Sequence, residues 1–160
     1  MVIARPDSLI FDLDGTLWNP GDTFVALSAG PRVPEGAFLF DGVADGLLTL
    51  KKSFRLFLVS NCDVTYLDRF LKWSKLENVF VDSECFGRTL LSKKENIELV
   101  IRRNRIESAI YVGDTAADQK AATSAGLPYF HMEYGFGTPF KPCVKFATFA
   151  DLVESLTAPF

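Results

Sequence analysis

Histidine is almost missing from this chain: His131 is the only one. It falls in the apolar run LPYFHM and reads as a packed residue near the rim of a site, not as an acid–base group. No histidine stands near Cys62 to activate it, so that cysteine reads as structural. Cysteine is scarce too. Cys62, Cys85 and Cys143 are odd in number and widely spaced, which argues against both a disulfide framework and a zinc site. No apolar run approaches the roughly 18 residues of a membrane span, and the first residues lack the basic-then-apolar pattern of a signal peptide. The expectation is therefore a cytoplasmic protein with reduced thiols and no membrane partner. Basic excess is absent as well: 17 Lys and Arg stand against 20 Asp and Glu, for a net charge of −3. The Arg102-Arg103 pair reads as part of a solvated helix face, and no nucleic-acid partner is expected.

What is present is the composition of an ordinary globular chain, 48% apolar over 160 residues, with 15 phenylalanines for a core. That length predicts one domain, residues 1–160. Apolar β-rich runs alternate with segments of helical period. Ser8 to Asp12 reads as a strand buried on both faces. Val43, Leu47, Leu48 and Leu50 suit a helix with Asp41 as its cap. RLFLVSN reads as a second strand, and Asp63 caps a helix burying Leu67, Phe70 and Leu71, with Trp73 also placed in the core. NVFVD reads as a short third strand. Ser92 and Glu95 form a capping box before a helix carrying Ile97, Val100 and Ile101 on one stripe. AIYVGD and LPYFHM read as strands around a helix that stops at Gly126. Thr148 and Asp151 mark a further cap. Such alternation implies an α/β fold of three layers, a Rossmann-like parallel sheet with helices on both faces. Ligands of such sheets lie beyond the carboxyl ends of the strands.

The polar residues that break the apolar pattern fall at those ends. Asp12 and Asp14 close the first strand in LIFDLDGTLW, and Ser60-Asn61 close the second. Asp114, with Asp118 four residues on, closes AIYVGD. Lys93 opens the helix between them, with Lys94 as its neighbour and competitor. Two carboxylates at the edge of a buried sheet repel each other and lose solvation, so their presence points to chemistry.

FDLDGTLW, VSN, the lysine of SKKENI and VGDTAAD resemble, in order, the four motifs of the haloacid dehalogenase-like (HAD) superfamily. ECFGRTLLSKKENI and YGFG are similar to its phosphoglycolate-phosphatase-like branch. The resemblance implies an Mg²⁺-dependent phosphatase acting on a phosphate monoester. Asp12 would attack phosphorus and form an aspartyl-phosphate. Asp14 would protonate the leaving oxygen and then deprotonate the hydrolytic water. Asp12, the main-chain carbonyl of Asp14, and Asp114 would hold the metal. Ser60, Asn61 and Thr16 would bind the phosphoryl group, and Lys93 would neutralise charge growing on it. Asp118 would orient Lys93 or a water on the metal. The halide-displacing members lack a carboxylate at the position of Asp14, because a halide leaves unprotonated.

The interval from Asp12 to Ser60 is too short for the helical cap of these relatives, and that from Ser60 to Lys93 is too short for the other cap type. The cap is expected to be minimal or absent, with residues 19–40, rich in Gly and Pro, as a short lid. An open site would be covered by a large substrate or by a second copy of the chain in a homo-oligomer, or would act loosely on many small phosphate esters. The competing reading is a catalytically silent phosphate- or metal-binding module on the same fold. A receiver domain fits poorly, since its phosphorylated aspartate ends a middle strand.

Overall fold

Ser8–Phe11 (β1) is a run of four buried residues, with Leu9 and Phe11 packed on one side and Ile10 on the other. A strand covered on both faces has no use for polar side chains, and this one forms the middle of the sheet. The structure is a computed structural model, and it describes residues 5–21 and 36–159. Parallel to β1 run Arg55–Ser60 (β4) and Ala109–Gly113 (β6). Asp82–Cys85 (β5) lies outside β4, and Tyr129–Met132 (β7) and Val144–Phe146 (β8) lie outside β6. The six strands are parallel, in the order β5-β4-β1-β6-β7-β8. This is the Rossmann-like α/β fold that strand–helix alternation predicts.

The helices form the outer layers. Val43–Leu50 (α1), Val64–Ser74 (α2) and Phe149–Thr157 (α6) bury Leu47, Phe70 and Leu152 in the cluster that holds Leu9 and Phe11. Lys93–Asn104 (α4) and Ala116–Ser124 (α5) bury Ile97, Val100 and Ala122 in the cluster around Ile10 and Tyr111. A single turn, Phe86–Thr89 (α3), joins β5 to α4. Trp18–Asn19 (β2) and Phe38–Leu39 (β3) form a separate antiparallel pair. Most of the lid expected over 19–40 falls on residues 22–35, outside the described residues. Its two ends are described, and they are paired to each other.

Several local expectations need correction. The third strand starts at Asp82 and not at Asn78, because Val79 and Phe80 are used as core plugs ahead of it. Its acidic residues are compensated across the layer boundary: Arg103 pairs with Asp82 at 2.8 Å and with the buried Glu84 at 3.0 Å. Arg103 is thus an exposed but anchored side chain. Gly42, in a left-handed conformation (φ 79°), precedes α1 in place of the expected Asp41 cap. Leu48 and Trp73 are exposed, and Leu71 is half-buried. Ser92 accepts the Glu95 N–H, but its hydroxyl donates to the Glu95 carboxylate, so only half of the expected box forms. The complete capping box belongs to Thr115 and Asp118. Strand β8 and helix α3 had no clear signal in the sequence.

Gly46 sets how closely α1 approaches α6. A Cβ there would lie 2.6 Å from a Phe149 ring carbon and 2.9 Å from a Val153 methyl. Alanine favours a helix by about 1 kcal/mol over glycine, whereas overpacking costs about 1–3 kcal/mol. Gly46→Ala is therefore expected to lower stability by about 1 kcal/mol in urea unfolding. A more stable variant would show that the two helices separate at little cost.

Candidate active site

The ladder brings distant acids together. Phe11 is level with Val112 on β6, and the Asp12 N–H extends the pairing by donating to the Val112 carbonyl at 2.9 Å. Asp12 and Asp114 thereby leave adjacent strands at the same edge. The chain then turns sharply through Gly15. Its φ of +79° suits glycine, and a Cβ would lie 2.0 Å from an Asp114 carboxylate oxygen.

Lys93 enters from the first turn of α4 and bridges two of the acids. Its ammonium donates to Asp12 Oδ1 at 2.9 Å and to Asp118 Oδ1 at 2.5 Å. Lys94 instead pairs with Glu98 on the helix surface, so the geometry separates the two lysines. The second oxygen of Asp118 accepts the N–H groups of Asp114 and Thr115. Asp114 accepts the Thr16 hydroxyl at 3.0 Å and the Phe136 N–H at 2.9 Å. Carboxylate oxygens of Asp12, Asp114 and Asp118 lie within 4.8 Å of one another.

One ammonium among three carboxylates leaves a negative excess in a dry setting. Burial, then repulsion from Asp118, outweighs Lys93 and holds the Asp12 carboxyl well above the ordinary aspartate range. Burial also raises Asp114. For Asp118 burial pushes upward, but Lys93 and its hydrogen bonds prevail and keep it low. Burial alone would lower Lys93; the charge of Asp12 and its other neighbours raises it well above the usual lysine value.

The remaining expected residues are spread around this cluster. Ser60 is buried at the end of β4, level with Cys85 and beside the Cys62 thiol; Asn61 is exposed next to it. Thr16 is fully buried with its hydroxyl donated to Asp114, so it steadies that acid. The Asp14 carboxylate stands apart from the triad. Its Oδ1 accepts the Trp18 indole N–H and the Tyr66 hydroxyl, both at 2.7 Å. Trp18, which closes the FDLDGTLW segment, is buried, and Tyr66 carried no signal of motif or period. Tyr134 donates to the Thr16 carbonyl. Together with the Phe136 N–H, this makes YGFG part of the site's wall. His131 is buried and exchanges a hydrogen bond with the Tyr129 hydroxyl.

Residues 35–132 match the family model described as haloacid dehalogenase-like hydrolase, well over half the chain. The chain belongs to that family. The matched segment starts after Asp12 and Asp14 and contains Ser60, Lys93, Asp114 and Asp118. A phosphoglycolate phosphatase from Salmonella choleraesuis is 30% identical over 141 residues, covering 81% of this chain and 56% of the relative. One from Colwellia psychrerythraea is 28% identical over 129 residues, covering 74% and 57%. The chain thus spans little more than half the length of the curated relatives it matches. Among solved structures, a haloacid dehalogenase-like family hydrolase from Streptococcus pneumoniae aligns with a TM-score of 0.80 at 17% identity, covering 97% of this chain and all of that one. A HAD-superfamily hydrolase from Ehrlichia chaffeensis gives 0.79 at 17%, covering 97% and 98%. At those identities the likeness shows the HAD fold alone.

Because Asp12 holds its proton more tightly in the folded state than its ordinary value of 3.8, ionising it draws stability down as pH rises from that value through its folded pKa. Asp118 and Lys93 act oppositely: Asp118 loses its contribution only as acid protonates it, and Lys93 only as alkali deprotonates it. Metal-free Asp12→Asn is therefore expected to be more stable than the parent near neutral pH, on the order of 1 kcal/mol. The gain should shrink on acidification toward about pH 4. Calorimetry across pH checks this. A less stable Asn variant at neutral pH would mean that the ion pair with Lys93 outweighs the burial of Asp12.

Proposed function

We propose that this HAD-family chain is a phosphohydrolase that cleaves phosphate monoesters through an aspartyl-phosphate on Asp12. The observation that carries the reading is Lys93 bridging Asp12 and Asp118 beside Asp114, at the carboxyl edge of β1 and β6. A dianionic ester needs positive charge where it meets a carboxylate, and this edge supplies a fixed ammonium.

The donor set fits Mg²⁺. Three hard carboxylate groups converge within 4.8 Å around a single ammonium, a charge balance that leaves room for a cation. Asp12 and Asp114, with the Asp14 carbonyl, would hold the ion, and when bound it would offset the repulsion between nucleophile and phosphate dianion. Asp12 attacks phosphorus. Lys93 and Ser60, with main-chain N–H groups between β4 and α2, hold the phosphoryl oxygens. Asp14 gives a proton to the leaving oxygen and takes one from the water that hydrolyses the intermediate. Asp118 fixes the ammonium of Lys93.

The curated relatives are phosphoglycolate phosphatases, which makes a small phosphorylated acid the first substrate to try. We read the described residues as one core whose site is open enough for a larger ester or a second copy of the chain to cover it. No helix among the described residues is long and apolar enough to cross a membrane. The free cysteines suit a reducing, cytoplasmic setting. The silent-module reading is disfavoured because Asp12, Asp14, Lys93 and Asp114 are all intact.

Hydrolysis of p-nitrophenyl phosphate is expected with Mg²⁺ and not with EDTA. Asp12→Asn and Lys93→Met should each lower turnover by at least roughly 1,000-fold. Mg²⁺ should also raise the melting temperature of the parent chain more than that of Asp114→Asn. A folded parent that binds Mg²⁺ and phosphate but turns over no ester would leave the silent module as the better reading.

A further inference from the structure

Asp14 is the acid of the site whose carboxylate is held by two aromatic side-chain donors. Trp18 Nε1 and Tyr66 Oη both donate to its Oδ1 at 2.7 Å. Two donors use both lone pairs of that oxygen, while among the described residues Oδ2 accepts no hydrogen bond. Neither donor is loosely placed. Trp18 is 1% exposed, and its ring packs against Tyr66 at 5.6 Å and Phe70 at 5.1 Å. Tyr66 rides in the first turn of α2, whose N-terminus is fixed by the Asp63 side chain on the Thr65 N–H. Helix α2 follows directly from the Ser60 end of β4. The helix that follows the strand ending at Ser60 therefore also holds Asp14.

We propose that Tyr66, with Trp18, is a positioning residue that occupies Asp14 Oδ1 and so leaves Oδ2 as the oxygen that carries the transferred proton. The inference rests on the phosphohydrolase reading and on Asp14 as its acid and base. As Asp12 Oδ bonds to phosphorus, the bond from phosphorus to the ester oxygen breaks. Its electron pair stays on that oxygen, and the proton on Asp14 Oδ2 moves to it, releasing an alcohol. Water then attacks the aspartyl-phosphate and gives a proton back to Oδ2. Phosphate leaves, and the Asp12 carboxylate is restored. Tyrosine suits the task because burial and the nearby Asp14 charge raise its pKa, so it stays a donor throughout.

A residue that orients a general acid matters most when the leaving group needs its proton. The test compares kcat/KM for p-nitrophenyl phosphate, whose leaving group departs readily as an anion, with that for phenyl phosphate, which is nearly the same size. Tyr66→Phe keeps the ring and removes the donor. It is expected to lower kcat/KM for phenyl phosphate about tenfold and for p-nitrophenyl phosphate less than about threefold, the scale of one hydrogen bond to a charged group. Trp18→Phe removes the other donor and should show the same bias. If Tyr66→Phe proves unfolded by circular dichroism, the Trp18 variant carries the comparison. Asp14→Asn is the reference and should be more biased than either. Equal losses on both esters, or no loss on either, in a folded Tyr66→Phe would overturn the positioning role while leaving the phosphatase intact. An Asp14→Asn variant without leaving-group bias would overturn the acid–base role of Asp14, and the inference with it. A parent chain inactive on both esters would overturn the phosphohydrolase reading first.

Discussion

Everything in this site follows from crowding three carboxylates and one ammonium into the dry carboxyl edge of a parallel sheet. Lys93 is nearly as buried as the acids it bridges. Its two ion pairs cannot be traded for water without leaving charge stranded. The ammonium settles Asp118 and only part of Asp12, so the cluster retains a demand for positive charge. A fold optimised for stability alone would not keep such a group.

The surrounding structure serves that cluster. Parallel pairing of β1 with β6 makes Asp12 and Asp114 neighbours. Gly15 lets the turn after β1 press onto Asp114, and the Phe136 N–H closes the other side of that acid. Thr115 and Asp118 cap α5 reciprocally, which aims one Asp118 oxygen at main chain and leaves the other for Lys93. Apart from Lys93, each anchor is a main-chain group or a short side chain with few rotamers, so Asp114 and Asp118 are held in place.

Asp14 is treated differently. Its carboxylate is met by an indole and a phenol in an aromatic wall that joins the β2 segment to α2. Charge pairs with Lys93 steady the proposed nucleophile and Asp118, while neutral donors steady Asp114 and the proposed acid. The wall also connects the short β2–β3 pair, where a lid was expected, to the body of the domain.

Much of the fold was legible from period and punctuation. β1, β4 and β6 are apolar runs buried on both faces, and α2, α4 and α5 announce themselves through Asp63, Ser92 and Gly126. The reading failed where tertiary partners overrode local preference. Acidic β5 is a strand because Arg103 reaches across from α4, and Trp73 and Leu48 have helical spacing but sit beyond the edge of their buried stripes. For the site, the sequence determined which residue types stand at which strand ends, since a parallel sheet carries successive carboxyl ends to one edge. Tertiary structure alone decided that Lys93 and not Lys94 reaches the acids, that Thr16 turns inward to Asp114, and that Tyr66 and Trp18 share one oxygen of Asp14. Those choices depend on side-chain direction between residues far apart in the chain, and no local periodicity encodes that.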